Sequence, residues 1–186
     1  MFLLGLGSNL SSSFGDRFEN LNLAISYLET YQIKIINRSS FYETPSYPDI
    51  KNPKFINLVV DVSTYLLPED LASVLIFVEE KLERKRIKKN EPRTCDIDII
   101  DYNGKVMEFT YKNLIFKVPH EKLIYRNFVL FPLQEVAPKW AHPKTKDSID
   151  VLINKLSNEE QKSILKITKS WYNILMLNQK ELIEKV

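Results

Sequence analysis

The chain has 186 residues, of which 44% are apolar and 27% charged, and its formal net charge is +2. This length and composition predict one domain, spanning residues 1–186, with a single sizeable core. A nearly neutral chain lacks the overall positive charge of nucleic-acid-binding proteins, so no nucleic-acid partner is expected. It contains one cysteine and no apolar run approaching the ~20 residues of a membrane helix, so we expect no membrane association and a cytoplasmic monomer.

The first half of the chain alternates predicted strands with predicted helices. Phe2 to Leu6 predicts a buried strand, and apolar residues from Asp16 to Leu28 recur at the spacing of a core-facing helix. Residues 34–42 and 55–65 are rich in β-favouring side chains and predict two strands separated by a proline-containing loop. A second helix is predicted from Pro68 to Leu82, because proline and acidic residues are favoured in the first helical turn.

The second half of the chain begins with a predicted strand over residues 95–100. Asn103-Gly104 predicts a hairpin turn, and the valine after Gly104-Lys105 excludes a P-loop. The order of elements predicts a split βαβ unit, with an antiparallel sheet backed by helices. A final helix packing onto the body is predicted from its apolar residues, which are Ile164, Ile167, Trp171, Ile174 and Leu175.

The segment from Arg84 to Ile100 combines a dense run of cations with the string Cys-Asp-Ile-Asp-Ile-Ile. Side chains two residues apart on a strand share a face, so Asp96 and Asp98 point one way and the residues between them point into a core. The predicted core residues are Cys95, Ile97 and Ile99. Two ionised carboxylates repel each other, which predicts a bound Mg²⁺ whose phosphate ligands the neighbouring cations would hold. The segment therefore indicates phosphoryl-transfer chemistry.

The residues alone leave other interpretations open. An Asp-Ile-Asp alternation is also typical of an exposed strand face, and a Lys/Arg run is typical of a solvated loop. Paired aspartates beside a basic loop also suit a two-metal nuclease or nucleotidyl transferase that acts on phosphodiesters. A third possibility is a non-catalytic, ferredoxin-like binding module.

Several short strings, taken together, resemble a known family. They are Gly5-Leu6-Gly7-Ser8-Asn9-Leu10, Ser39-Ser40-Phe41-Tyr42-Glu43-Thr44-Pro45, Phe55-Ile56-Asn57, Pro92-Arg93-Thr94-Cys95-Asp96-Ile97-Asp98-Ile99, and Val118-Pro119-His120 followed by Arg126-Asn127-Phe128. In this order, over residues 1–155, they resemble the 6-hydroxymethyl-7,8-dihydropterin pyrophosphokinase family of folate biosynthesis. The resemblance implies an α+β, ferredoxin-like αβα layered domain with a mainly antiparallel sheet. Residues 156–186 find no counterpart and are expected to form a helical C-terminal extension.

The resemblance also implies an activity and a set of site residues. A pyrophosphoryl group would pass from MgATP to the hydroxymethyl group of the dihydropterin, releasing AMP. Asp96 and Asp98 match the carboxylates that hold two Mg²⁺ ions, and Arg84 and Arg93 match catalytic arginines. The positions that match ATP-binding residues are Glu79, Arg86, Arg93, His120 and Arg126. The positions that match pterin-binding residues are Thr44, Pro45, Phe55, Asn57, Asp96 and Phe128.

This chain departs from the family pattern beside the catalytic arginines. Glu83 and Glu91 stand where the family often has glycine. These two departures lie between residues 83 and 91. They therefore concern the nucleotide contacts that the resemblance implies, and not the chemistry that it implies.

Overall fold

The computed structural model describes residues 1–86 and 91–168. Its elements are β1 (Phe2–Ser8), α1 (Arg17–Thr30), β2 (Lys34–Arg38), β3 (Phe41–Thr44), β4 (Phe55–Ser63), α2 (Pro68–Lys81), β5 (Asp96–Tyr102), β6 (Met107–Tyr111), β7 (Leu114–Val118), a short 3-10 helix (Leu123–Tyr125), α3 (Asn127–Val136), α4 (Ile149–Asn154), α5 (Asn158–Lys162) and β8 (Leu165–Ile167). Within these residues, no helix is both long enough and apolar enough to cross a membrane.

The fold is a mixed α/β arrangement built on one antiparallel sheet. The strands lie in the order β5-β1-β4-β3-β8, and β2 also pairs with β4. Strands β6 and β7 form a separate two-stranded antiparallel sheet. The central strands β1 and β4 therefore join β5 on one side to β2, β3 and β8 on the other.

Alternating side chains along the central strands supply two cores on opposite faces of the sheet. Helices α1 and α2 cover one face, and α3 and α4 cover the other. The first core includes Leu4, Leu6, Leu21, Leu28, Ile56, Leu58, Leu71, Leu75, Cys95, Ile97 and Ile99. The second includes Leu3, Val59, Ile100, Val129, Leu130, Leu133, Ile149 and Leu152. Burial on both faces explains why β1 and β4 are almost continuously apolar.

The predicted strand over residues 34–42 is two strands in the structure. Strand β2 ends at Arg38, and Ser39 then exchanges hydrogen bonds with Val59. The Ser39 backbone donates to the Val59 carbonyl at 2.9 Å, and the Val59 amide donates to the Ser39 hydroxyl at 3.0 Å. A side-chain oxygen thus replaces a backbone acceptor in the ladder, which the alternation of apolar residues did not reveal.

The turn predicted at Asn103-Gly104 is present, but the hairpin is not. Both residues have positive φ, 52° and 70°, and the Lys105 amide donates to the Tyr102 carbonyl at 3.1 Å. The strand that follows pairs with β7 rather than with β5. Lys112 and Asn113, with φ of 47° and 63°, close that hairpin in the turn geometry that matches the twist of paired strands.

The prediction of a helix around Ile164 and Ile167 is also wrong, because residues 165–167 form strand β8. Strand β8 pairs antiparallel with β3, with Ile167 opposite Phe41, and only 7% of Ile167 is exposed. The backbone groups at the edge of β3 favour an added strand over a helix. The other predicted helix residues, Trp171, Ile174 and Leu175, lie outside the described residues.

We expect Ile167→Ala to lower the free energy of unfolding by about 2–4 kcal/mol, because it removes buried methyl groups from the first core. Leu165→Ala on the same strand is the matched control, because Leu165 is 55% exposed. The control should cost less than about 0.5 kcal/mol. Urea denaturation measures both variants, and equal costs would contradict the docking of β8 onto the core.

Candidate active site

The residues predicted to bind metal and nucleotide come together in one cavity of about 520 Å³. The end of α2, strand β5, strand β7 and the start of α3 surround it. The predicted residues that line it are Glu79, Arg84, Arg86, Arg93, Asp96, Asp98, His120 and Arg126. All the catalytic, metal-binding and nucleotide-binding positions inferred from the sequence therefore share one opening.

Asp96 and Asp98 face this cavity because they alternate with core residues along β5. Ile97 and Ile99 are each 4% exposed and belong to the first core, whereas 29% of the Asp96 side chain and 42% of the Asp98 side chain are exposed. Cys95, just before the strand, is fully buried. The predicted division of the strand into an acidic face and an apolar face is confirmed.

Arginines from three parts of the chain balance the two carboxylates. Arg84 Nη1 contacts Asp96 Oδ1, Arg93 Nη1 lies 3.5 Å from Asp96 Oδ2, and Arg126 Nη1 donates to Asp98 Oδ2 at 3.2 Å. Burial opposes the charge on Asp96, but Arg84 and Arg93 outweigh it and hold the pKa of that carboxyl below its usual range. For Asp98, burial and then the charge of Asp96 raise the pKa, and Arg126 opposes them.

The donor set in the cavity fits Mg²⁺. Asp96 and Asp98 offer carboxylate oxygens on one face, and the effect of Asp96 on the pKa of Asp98 shows the repulsion that a divalent cation would relieve. In the described part of the chain, no group of three or more His, Cys, Asp or Glu side chains forms a larger metal cluster. Mg²⁺ commonly takes one or two carboxylates and fills its other positions with water and phosphate oxygens.

Glu79 anchors the start of the cationic segment, which comprises residues 84–93. Only 2% of Glu79 is exposed, and its Oε1 accepts from the Ile97 amide at 2.8 Å and from Arg84 Nη1 at 2.5 Å. Its Oε2 contacts Arg86 Nη2. Burial raises the pKa of Glu79 to about 7, although the charge of Arg84 opposes this. Protein groups therefore engage both Glu79 oxygens, although the residue also lines the cavity.

His120 also lines the cavity and follows the end of β7. Its Nδ1 accepts from the Lys122 amide at 3.0 Å. Burial and then the charge of Arg126 lower its pKa, which favours the neutral imidazole, although Asp98 opposes this. The register of β7 also brings Ile115, Phe116 and Lys117 to the cavity wall, which the sequence did not predict.

The predicted pterin residues other than Asp96 lie beside the cavity rather than in its lining. Asn57 is buried, and its Nδ2 donates to the Thr44 hydroxyl at 3.0 Å. Sheet register aligns Asp96, Gly7 and Asn57 across β5, β1 and β4. A Cβ atom on Gly7 would lie 3.1 Å from Asn57 Oδ1, so the missing side chain leaves room for this amide. Pro45, next to Thr44, is exposed.

Arg93 and Arg126 connect the two groups of residues. The Arg93 guanidinium lies 5.3 Å from the centre of the Phe55 ring, and that of Arg126 lies 5.5 Å from the centre of the Phe128 ring. Each arginine also contacts an aspartate of the cavity. These two arginines therefore contact both the aromatic side chains and the carboxylates of the cavity.

Asn9 belongs to one of the strings that resemble the family, but the sequence predicted no role for it. It is 2% exposed, and its Oδ1 accepts from the Arg93 amide at 2.7 Å. Its Nδ2 donates to the Pro53 carbonyl at 3.0 Å and to the Ser46 hydroxyl at 3.2 Å. Asparagine is common in turns, so the sequence alone gives Asn9 an ordinary local explanation. Its burial and these hydrogen bonds show that Asn9 joins the residues before β5 to the loop before β4.

Folding should shift the titration of Glu79 from its ordinary pKa of 4.5 to about 7. Between these values the folded state binds more protons than the unfolded state, so the free energy of unfolding falls as pH rises. We expect Glu79→Gln to remove this slope. Its stability relative to the unsubstituted protein should therefore increase between about pH 5 and pH 7.5, as measured by urea denaturation. If Glu79→Gln instead loses stability relative to the unsubstituted protein as pH rises, ion pairing outweighs burial in setting the pKa of Glu79.

Comparisons with known proteins agree with this geometry. The family model described as 7,8-dihydro-6-hydroxymethylpterin-pyrophosphokinase (HPPK) matches residues 3–138. The Synechocystis sp. protein named 2-amino-4-hydroxy-6-hydroxymethyldihydropteridine pyrophosphokinase is 34% identical over 155 residues, covering 83% of this chain and 75% of the relative. The Aquifex aeolicus protein of the same name is 36% identical over 140 residues, covering 75% of this chain and 82% of the relative.

A solved structure supports the fold. The crystal structure of wild-type Plasmodium falciparum HPPK-DHPS superposes with a TM-score of 0.66 at 20% identity, covering 83% of this chain and 44% of that chain. This chain thus spans less than half of that protein. Because the family model spans most of the sequence and these named relatives exceed 30% identity, the chain belongs to the 7,8-dihydro-6-hydroxymethylpterin-pyrophosphokinase family.

Proposed function

We propose that this chain transfers a pyrophosphoryl group from MgATP to the hydroxymethyl group of 6-hydroxymethyl-7,8-dihydropterin, releasing AMP in a step of folate biosynthesis. The observation that supports this most directly is the pair Asp96 and Asp98 facing a cavity that four arginines line. Family membership supplies the substrates. The nuclease alternative finds no support among the named relatives.

We propose that Asp96 and Asp98 hold two Mg²⁺ ions. When bound, Mg²⁺ would neutralise charge on the phosphate oxygens. The protein's own contribution is to keep both carboxylates on one face of β5, where the alternation with Ile97 and Ile99 places them.

The arginines of the site can exchange carboxylate partners for phosphate partners. Arg84 and Arg93 contact Asp96, and Arg126 contacts Asp98. Guanidinium groups bind carboxylates and phosphates with the same planar donors. The arginines could therefore bind the phosphates of a nucleotide while the aspartates bind its Mg²⁺. In this proposal Arg84 and Arg93 stabilise charge that develops in transfer. In the same proposal, Arg86, His120 and Arg126 bind the nucleotide. Glu79 contributes to nucleotide binding through its contacts with Arg84 and Arg86.

The neighbouring residues offer a suitable surface for a flat heteroaromatic ring. Phe55 and Phe128 supply ring faces, and Asn57 and Thr44 supply polar groups of the kind that pair with a ring edge. Pro45 continues the segment from Thr44. In the proposed complex, Arg93 and Arg126 lie between the pterin side and the phosphate side. The contacts of Arg93 with Phe55 and of Arg126 with Phe128 support this arrangement.

Further proposals concern the whole molecule. Helices on both faces of an antiparallel sheet support a ferredoxin-like αβα layering of one domain over residues 1–186. Residues 156–186 would be a C-terminal extension to the part of the domain that resembles the family. A cytoplasmic monomer without a nucleic-acid partner would fit the nearly neutral charge and the small-molecule substrates.

The activity is tested by incubating the protein with MgATP and 6-hydroxymethyl-7,8-dihydropterin. AMP and pterin diphosphate should form in equal amounts, because the whole pyrophosphoryl group moves in one step. Chromatography of the quenched reaction separates AMP from ADP. Formation of ADP, or no turnover, would refute the proposal, and cleavage of a nucleic-acid duplex would favour the nuclease alternative.

Asp98→Ala should abolish AMP formation while changing the fold little, because the side chain faces the cavity rather than either core. Glu108→Ala is the control, because Glu108 is an exposed acid on β6 whose side chain is 61% accessible. The assay is the initial rate of AMP formation, with circular dichroism as the check on folding. A nearly normal rate for Asp98→Ala would show that the metal assignment is wrong.

Arg93→Ala should slow the chemical step by about 10³-fold, as for other arginines that neutralise charge in phosphoryl transfer. Arg93→Lys keeps the charge but loses the planar pair of donors, so it should recover only part of this rate. Single-turnover measurements of AMP formation report the step directly. Full recovery in the lysine variant would mean that charge alone is required of Arg93.

A further inference from the structure

Glu83 occupies a backbone position that favours glycine. It lies two residues after the end of α2, just beyond the C-cap Leu82, with φ of 64°. Its amide donates to the Glu80 carbonyl at 3.0 Å, and the next amide, of Arg84, donates to the Glu79 carbonyl at 3.0 Å. This is the hydrogen-bond pattern of a helix end closed by a left-handed residue, where a side chain has a conformational cost. A contact made by the Glu83 side chain would offset part of that cost.

That contact is with Ser13, in the loop between β1 and α1. Glu83 Oε1 accepts from the Ser13 hydroxyl at 2.6 Å, and Oε2 accepts from the Ser13 amide at 3.0 Å. These two bonds lower the pKa of Glu83, so the carboxylate is ionised at physiological pH. Both oxygens of one exposed acid thus bind one residue that lies 70 positions away in the sequence.

The loop that holds Ser13 is itself firmly attached to α1. Ser12 donates its hydroxyl to Asn20 Oδ1 at 2.6 Å, and Asn20 Nδ2 donates to the Leu10 carbonyl at 3.0 Å. Asn20 is fully buried. Asp16 and Glu19 close the start of the helix with a capping box. The residue before Ser13 is therefore bonded to a buried side chain of α1.

The same loop also holds the far end of the cationic segment. The amides of Asn9 and Leu10 donate to the Arg93 carbonyl at 3.0 and 3.1 Å, and the Arg93 amide donates to Asn9 Oδ1 at 2.7 Å. Glu83 precedes the first residue of the segment and Arg93 is its last. Both ends of the segment are therefore fastened to residues 9–13.

We propose that Glu83 is a positioning residue whose bidentate contact with Ser13 fixes the direction in which the chain leaves α2. That direction places Arg84 between Glu79 and Asp96. Arg84 is one residue beyond Glu83, so a change in the Glu83 backbone moves the guanidinium directly. The role in catalysis rests on the proposed pyrophosphoryl transfer, whereas the contact itself does not.

The decisive variant is Glu83→Gly. Glycine adopts positive φ without strain, so the helix end is retained while the contact with Ser13 is lost. We expect the single-turnover rate of AMP formation to fall about 5- to 10-fold, with a change of less than about twofold in the KM for ATP. The free energy of unfolding should not decrease, which separates positioning from a general loss of stability.

Matched variants in the loop test the other half of the contact. Ser13→Ala loses the hydroxyl bond but keeps the amide bond, so its rate should fall less than that of Glu83→Gly. Ser13→Thr keeps both donors and should restore the rate. The double variant Ser13→Ala with Glu83→Gly should be no slower than Glu83→Gly alone, because the two residues act through one contact. Ser11→Ala, at an exposed serine of the same loop, is the control.

Hydrogen exchange of the free protein tests the contact without any activity. The Arg84 amide, which donates to the Glu79 carbonyl, should exchange faster in Glu83→Gly and Ser13→Ala than in Ser11→Ala. Unchanged exchange in Glu83→Gly would overturn the inference, and so would faster exchange with an unchanged rate. If exchange rises as expected but the unsubstituted protein forms no AMP, the contact stands and the proposed function fails.

Discussion

Repulsion between two like charges is the constraint on which the site depends. Asp96 and Asp98 lie on one face of one strand because the residues between and beside them belong to the first core. A buried strand cannot rotate to separate its carboxylates, so the surroundings must supply positive charge. Arg84, Arg93 and Arg126 do this from three different parts of the chain. A divalent ion and a polyphosphate would satisfy the same electrostatic requirement together.

The arginines themselves need support, and this explains a second set of contacts. Arg84 and Arg86 share the buried carboxylate of Glu79, which also accepts the Ile97 amide of the strand that carries the aspartates. Arg93 is held through its backbone by Asn9. The charges that face the cavity are thus positioned by groups that lie beneath it or beside it. We expect substitutions of these supporting groups to act through the arginines.

The strand order, rather than any local motif, joins the carboxylate side to the aromatic side. Strand β1 lies between β5 and β4, and Gly7 leaves room above it for the Asn57 amide. This close approach requires the absence of a side chain at one position of a strand that is otherwise packed on both faces. A glycine within a strand pattern can indicate such an approach, but the residue that uses the space is known only once the strands are paired.

The sequence by itself determined the central elements and the acidic face of β5, because local alternation and helical spacing decide which side of an element is buried. Resemblance of its short strings then predicted eight of the residues that line the cavity, but not those from β7. Only the tertiary structure decided the pairing of β8 with β3, the separate hairpin of β6 and β7, and the burial of Asn9. The contact between Ser13 and Glu83 belongs with these, because each joins residues far apart in the chain. Local pattern carries no information about which distant backbone or side chain will satisfy a polar group, and that choice is made when the sheet and its two cores assemble.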